Sequence, residues 1–250
     1  MHAPLVDFHC HLDLYPDHEA EVRRCDSEGV FALTVTTTPR AWERNHAVAS
    51  KTKYVRAALG LHPQLVHERA DEIGLWEELL PQARYVGEVG LDAGPRYYKS
   101  LDSQKAVFER VLKACAHTRS KILTIHSVRA TALVLDMVEK YLPPSDGLIV
   151  LHWFTGTAAE ARRAAALGAY FSINAQMLTD KRRRPIVAAM PRDRLLTETD
   201  GPFTVTDNKP NRPGDVRYAV TALADLLGST GSEMQQVVAD NLKKVVSFGD

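Results

Sequence analysis

The sequence predicts a (β/α)₈ TIM barrel, one α/β domain over residues 1–250. Short apolar runs alternate with amphipathic helical patterns, the mark of βαβ units and a parallel sheet. Eight such units in about 250 residues match a closed barrel. No G-x-G-x-x-G follows the first run, which removes the main signal for the alternative, an open doubly wound sheet.

The elements follow in order. Leu5–Phe8 reads as a buried strand leading into His9-Cys10-His11. Pro16-Asp17 opens a helical pattern through Ala20, Val22 and Cys25, stopped by Gly29. Val30–Thr37 is the second strand, and Pro39 starts a helix through Trp42, His46 and Ala49. Tyr54–Leu59 is the third, ending in Gly60-Leu61-His62-Pro63, with a helix over Ile73–Leu80. Tyr85–Val89 is the fourth, followed by Gly90-Leu91-Asp92 and a long helix from about Asp102 to His117. Lys121–Ile125 is the fifth, ending at His126; a helix over Ala130–Tyr141 leads to the sixth, Leu148–Leu151, ending at His152. An alanine-rich helix, Ala158–Leu167, precedes the seventh strand, Ala169–Ile173, and a helix over Lys181–Met190 follows. Arg194–Thr197, the eighth, runs into Glu198-Thr199-Asp200-Gly201-Pro202, and helices near Val216–Leu227 and Glu233–Val246 close the chain.

Composition bounds the partners. The chain carries 31 basic and 31 acidic residues, so no global positive field advertises nucleic acid. A nucleic-acid enzyme of this composition needs local charge or metal to hold phosphate. Cys10, Cys25 and Cys115 are an odd count without paired spacing, which argues for a reducing compartment. No basic-then-apolar leader follows Met1, and no apolar run of about 18 residues is present, so a cytoplasmic protein without membrane contact is expected.

The chemistry gathers at strand ends. Residues two apart on a strand share a side, so His9 and His11 aim two imidazoles at one point. Glu88, His126, His152 and Asp200 follow at the ends of strands four, five, six and eight; His62 and Asp92 sit on the same face. A lone His126 or His152 is more often a satisfied core histidine. Six metal-competent groups together, at the end of the barrel where active sites lie, point to a metal centre. Four histidines and two carboxylates suit two ions better than one, because two ions about 3.5–4 Å apart need a bridge. Glu88 can bridge with its two oxygens. Asp200 can ligate and also take a proton from the attacking water. Glu198 could orient Asp200 or serve as a buried structural carboxylate.

The ordered series His9-x-His11, Gly60-Leu61-His62-Pro63, Gly87-Glu88-Val89-Gly90-Leu91-Asp92, Ile125-His126-Ser127, His152-Trp153-Phe154-Thr155-Gly156 and Glu198-Thr199-Asp200-Gly201-Pro202 resembles the TatD-like metal-dependent deoxyribonucleases of the amidohydrolase superfamily. The resemblance covers residues 5 to about 215. It implies two divalent ions (Mg²⁺, Mn²⁺ or Zn²⁺) and hydrolysis of phosphodiester bonds in DNA, with 3′→5′ exonuclease character on single strands. By that pattern His9, His11 and Asp200 hold one ion, His126 and His152 the other, and Glu88 both, while His62 contacts the scissile phosphate. Asp200, Glu88 and His62 are then the catalytic residues. Pro39-Arg40-Ala41-Trp42, Leu91–Arg96 and Val216-Arg217 look most like the nuclease component of the Qat anti-phage system, which implies defence-system partner proteins.

The family pattern is altered at the substrate side. Ala93-Gly94-Pro95 precede the aromatic pair Tyr97-Tyr98, the arginine after strand five is displaced to Arg129, and the late segment reads Asn211-Arg212-Pro213. Asp92, Arg129, Asn211 and Arg212 are the expected substrate contacts. Tyr97 and Tyr98 could stack on bases, and Lys181–Arg184 could steer a strand, although packing and a solvated helix start explain them as well. Two other functions compete: a small-molecule amidohydrolase or esterase, and a structural subunit of a defence complex. Metal-ligating histidines must be neutral, so metal affinity should fall through about pH 6.5 and activity collapse below about pH 5.5.

Overall fold

The computed structural model describes residues 3–249. The expected domain span also takes in Met1, His2 and Asp250, which lie outside the described residues. Eight strands appear in chain order: β1 (Val6–Cys10), β2 (Phe31–Val35), β3 (Val55–Leu59), β4 (Tyr85–Asp92), β5 (Lys121–Val128), β6 (Gly147–His152), β7 (Tyr170–Ile173) and β8 (Leu195–Thr197). Every neighbouring pair is parallel and spatial order equals chain order. Right-handed crossovers repeated in one direction curl such a sheet until its first and last strands meet.

The meeting of β8 and β1 is held largely through the segment after β8. Asp200 N–H donates to His9 O and His11 N–H to Gly201 O, each at 2.8 Å. Buried Asp7 accepts from Thr199 N–H at 2.9 Å and from Thr199 Oγ1 at 2.5 Å. These bonds bring the last strand's carboxylate segment directly over the first strand's histidines.

Around the barrel run α1 (His18–Glu28), α2 (Trp42–Ala49), α3 (Val66–Arg69), α4 (Ile73–Leu79), α5 (Leu101–Thr118), α6 (Thr131–Tyr141), α7 (Ala158–Ala166), α8 (Ala175–Thr179), α9 (Arg184–Ala188), α10 (Arg217–Leu227) and α11 (Gly231–Val246). Their apolar stripes face the strands, as Val107, Phe108, Val111, Leu112 and Cys115 of α5 do. Gly29 stops α1 at φ 65°, a left-handed conformation that glycine adopts without penalty. Strand alternation divides the core. Cys10 points outward to Val22 and Cys25 of α1, leaving Asp7 and His9 to face the lumen.

Several elements differ from expectation. β4 and β5 continue past Val89 and Ile125, with Gly90 paired to His126 and Asp92 to Val128. A polar side chain facing the lumen ends the apolar run without ending the backbone ladder. The helix expected over 181–190 shrinks to α9, because Arg182 and Arg183 form a turn on Asp180 instead. An unexpected hairpin, β9 (Val205–Thr206) and β10 (Lys209–Pro210), follows the eighth strand. Its tip, Asp207-Asn208, has φ values of 51° and 60°, the geometry of a type I′ turn that Asn and Asp tolerate.

Candidate metal centre

The regular parallel ladder is interrupted twice among the described strands, between Asp7 and Cys10 on β1 and between Val86 and Val89 on β4. His9 and Glu88 lie inside those two breaks. A bulge re-aims side chains that a regular strand would place elsewhere. Close backbone packing supports the second break. A Cβ on Gly60 would sit 1.8 Å from Thr36 O and 2.5 Å from Glu88 N; one on Gly90 would sit 2.1 Å from His126 O. Only glycine fits at those two positions.

Glu88 stands at the centre, 2% exposed, with its two oxygens facing different groups. Oε2 lies 3.3 Å from His9 Nε2 and 3.4 Å from His11 Nε2. Asp200 Oδ1 closes that side at 3.7 Å and 3.5 Å from the same two nitrogens. Oε1 lies 2.6 Å from His126 Nδ1, 3.1 Å from His62 Nε2 and 3.2 Å from His152 Nε2. Ligand atoms of His9, His11 and Glu88 fall within 4.8 Å of one another, as do those of His62, Glu88 and His126. Asp200 reaches the cluster with φ 55°, a left-handed conformation that aspartate adopts more readily than most residues with a Cβ.

Three of the four candidate ligand imidazoles are oriented by what the far nitrogen meets; His11 Nδ1 has no such partner among the described residues. His9 Nδ1 bonds Thr124 Oγ1 at 2.7 Å, His152 Nδ1 meets Glu198 Oε2 at 3.2 Å, and His126 Nε2 meets Asp92 Oδ2 at 3.1 Å. A proton held on each outer nitrogen leaves a lone pair on the inner one, the arrangement found around metal-ligating histidines. His62 is reversed. Its Nδ1 accepts from Gln64 N–H at 3.1 Å, so the neutral ring carries its proton on Nε2, toward Glu88. Such a ring donates; it has no inner lone pair for a cation.

Charge balance follows from these contacts. Burial would raise the Glu88 carboxyl, but His62, His152 and His9 hold it well below the usual carboxylate range. Burial also opposes protonation of His11, yet Asp200 and Glu88 lift it to about 9. His126 is raised, against burial, by Asp92 and Glu88, and His152 well above its ordinary value by Glu198 and Glu88. His9 is lowered, by burial and by neighbouring His152, and His62 is lowered by burial.

The donor set fits a divalent cation. His9 Nε2 is fully buried and has no hydrogen-bond partner among the described residues, although it points at two carboxylates. A buried polar atom in that state is costly unless something satisfies it. His9, His11, Asp200 and Glu88 Oε2 could hold one ion; His126, His152 and Glu88 Oε1 could hold a second.

The family profile described as TatD related DNase matches residues 6–247. The chain belongs to this TatD-related family. It is therefore a metal-dependent hydrolase. It is 30% identical to the metal-dependent hydrolase YabD of Bacillus subtilis (strain 168), over 96% of this chain and 98% of that one. It is 27% identical to the 3′-5′ ssDNA/RNA exonuclease TatD of Pantoea vagans, over 91% and 92%. The crystal structure of YjjV, a TatD homologue from Escherichia coli K12, shares the barrel with a TM-score of 0.83 and 26% identity, over 97% of both chains.

Within this TatD-family site, the expected ligands and His62 converge on Glu88, whereas three expected substrate contacts are engaged by groups of the protein itself. Asp92 is 2% exposed and turned inward, accepting from Gln64 Nε2 at 2.8 Å and Gly94 N–H at 2.7 Å besides holding His126. Asn211 braces the loop after Asp200, its Nδ2 donating to Thr204 Oγ1 at 2.9 Å. Arg212 pairs with Glu21 and stacks over Tyr15. Arg129 does face solvent, at φ 52°, with no partner among the described residues, on a cavity of about 550 Å³. Arg183 braces the loop after β6 through Thr155 O and Gly156 O. Tyr97 is half-buried and Tyr98 exposed.

Glu198 does not reach Asp200. It gathers His152, Trp153 N–H, Ser172 Oγ and Asn174 Nδ2. Thr124 was missed by sequence reasoning, though its place two residues before His126 puts it on the same lumen-facing side. Phe203, whose ring meets His11 edge-on at 5.0 Å, carried no signal beyond its nearness to Asp200.

Proposed function

We propose that this chain hydrolyses phosphodiester bonds of DNA, acting on single strands with 3′→5′ exonuclease character and using two divalent ions. The observation that carries this reading is the division of Glu88: one oxygen faces His9, His11 and Asp200, the other His126 and His152. A carboxylate so flanked suits a bridge between two cations. The name of the Pantoea vagans relative supports the choice of substrate and polarity.

Divalent ions held there would supply charge that acidifies water and polarises phosphoryl oxygens. The protein's own groups do the rest. Asp200 Oδ1, beside His9 and His11, accepts the proton lost by attacking water. His62 offers Nε2–H to a non-bridging phosphate oxygen, a donor already oriented by Gln64. Thr124, Asp92 and Glu198 keep three of the four ligating rings, those of His9, His126 and His152, from turning.

The test is single-stranded DNA labelled at its 5′ end, with Mg²⁺ or Mn²⁺. We expect a ladder shortening from the 3′ end that Glu88→Ala and Asp200→Ala abolish. Absence of metal-dependent cleavage of any DNA or RNA would overturn the reading. The Qat-like segments 39–42, 91–96 and 216–217 support a place in an anti-phage system with partner proteins, which co-purification from the native host checks. The three buried thiols, Cys10, Cys25 and Cys115, all unpaired, support a cytoplasmic location.

A further inference from the structure

Of the five large apolar side chains exposed among the described residues, one, Tyr218, lies on α10, and four, Leu14, Tyr98, Phe203 and Val205, lie on segments that follow β1, β4 and β8. Those segments leave the strands at their carboxyl ends, the end that carries the imidazole–carboxylate cluster. Scattered apolar residues on a surface need no explanation, but a group on the rim of a site does. Phe203 is 59% exposed, yet it is not loose. Its edge packs on the His11 ring at 5.0 Å and 84°, and its N–H donates to Asp200 O at 2.9 Å. The bond from His11 N–H to Gly201 O, at 2.8 Å, ties the loop of Phe203 to the loop of Leu14. One aromatic ring is thus fixed against a candidate ligand and left open to solvent.

We propose that Phe203 is a stacking platform for an unpaired nucleobase next to the scissile phosphate, with Leu14 and Val205 forming an apolar lip beside it. This rests on the nuclease reading above. Every base has a π-face, so a single ring accepts any sequence. Bases inside a duplex are already stacked and must be pulled out first, so the platform selects single strands and frayed ends. Lys209, exposed on β10 and without a partner among the described residues, provides a cation on the same hairpin loop for a neighbouring phosphate.

The test is equilibrium binding by the full chain, with Mg²⁺, of single-stranded oligonucleotides protected at the 3′ end by phosphorothioate linkages. One carries 2-aminopurine at its terminal positions; a second is abasic there. Stacking should quench the 2-aminopurine emission, Phe203→Trp should keep the quench, and Phe203→Ala should lose it with about tenfold weaker binding. Wild type should bind the abasic strand about tenfold more weakly than the base-bearing one, and Phe203→Ala should bring that ratio close to one. An unchanged quench in Phe203→Ala, no quench in wild type, or equal weakening on both strands overturns the platform, the last marking a merely structural role. Because binding is read without turnover, a protein that quenches but never cleaves sinks the nuclease reading alone. One that cleaves without a Phe203-dependent quench sinks only the platform.

Discussion

Glu198 Oε2 lies 3.2 Å from His152 Nδ1, while Oε1 of the same carboxylate accepts Trp153 N–H and Asn174 Nδ2, each at 3.0 Å. A glutamine has one acceptor oxygen. If it serves Trp153 and Asn174, its NH₂ turns toward His152 and opposes the Nδ1–H tautomer. Glu198→Gln should therefore weaken metal binding about 10–100-fold, as loss of a histidine's outer partner does elsewhere. Metal competition titrations check this, and wild-type affinity in the variant would remove Glu198 from the centre's support.

His62 separates two roles that proximity alone confuses. It lies within 4.8 Å of Glu88 and His126 ligand atoms, but its proton is on the inward nitrogen. His62→Gln should keep the full complement of bound metal and lose about 10²–10³ in kcat, the usual cost of removing one oriented donor. Elemental analysis beside steady-state rates decides it. Metal content falling in step with activity would make His62 a ligand.

Protons on His11, His126 and His152 compete with metal, because nearby carboxylates raise all three and bring His11 to about 9. Affinity should thus keep climbing between pH 7 and 9, by about tenfold per pH unit where one proton is displaced. This moves upward the fall near pH 6.5 that free histidine suggests. Titrations at pH 6, 7, 8 and 9 check it; a plateau above pH 7 would show that these rings are already neutral.

Asp7 gives a stability signature of the opposite kind. Burial lifts its carboxyl to about 8, against the bonds from Thr199 and His9 N–H, while an unfolded aspartate titrates near 3.9. The folded state therefore holds this proton more tightly. That contribution is fully present below about pH 4 and is lost as pH rises through 8, on the order of 5 kcal/mol between those limits. With metal chelated, Asp7→Asn should melt several degrees above wild type at pH 9 and close to it at pH 5. Thermal melts at the two values check this. An Asp7→Asn deficit at pH 9 would mean that the ionised carboxylate supports the seam.

Read as a sequence, the chain declares its strand count and the order of its polar strand ends, because both are local. An apolar run of four or five residues bounded by turn formers is a buried strand wherever it falls, and His9-x-His11 share a side by backbone geometry alone. The tertiary structure decided what each polar residue faces. Asp92 and Arg212 look like substrate contacts along the chain, but one is drawn behind His126 and the other to Glu21, partners set by barrel closure and not by neighbouring residues. The same closure gave Glu88 its two faces, Thr124 its bond to His9 and Phe203 its place on His11. Such pairings join residues tens to nearly two hundred positions apart, and the periodicity of a strand carries no information about them.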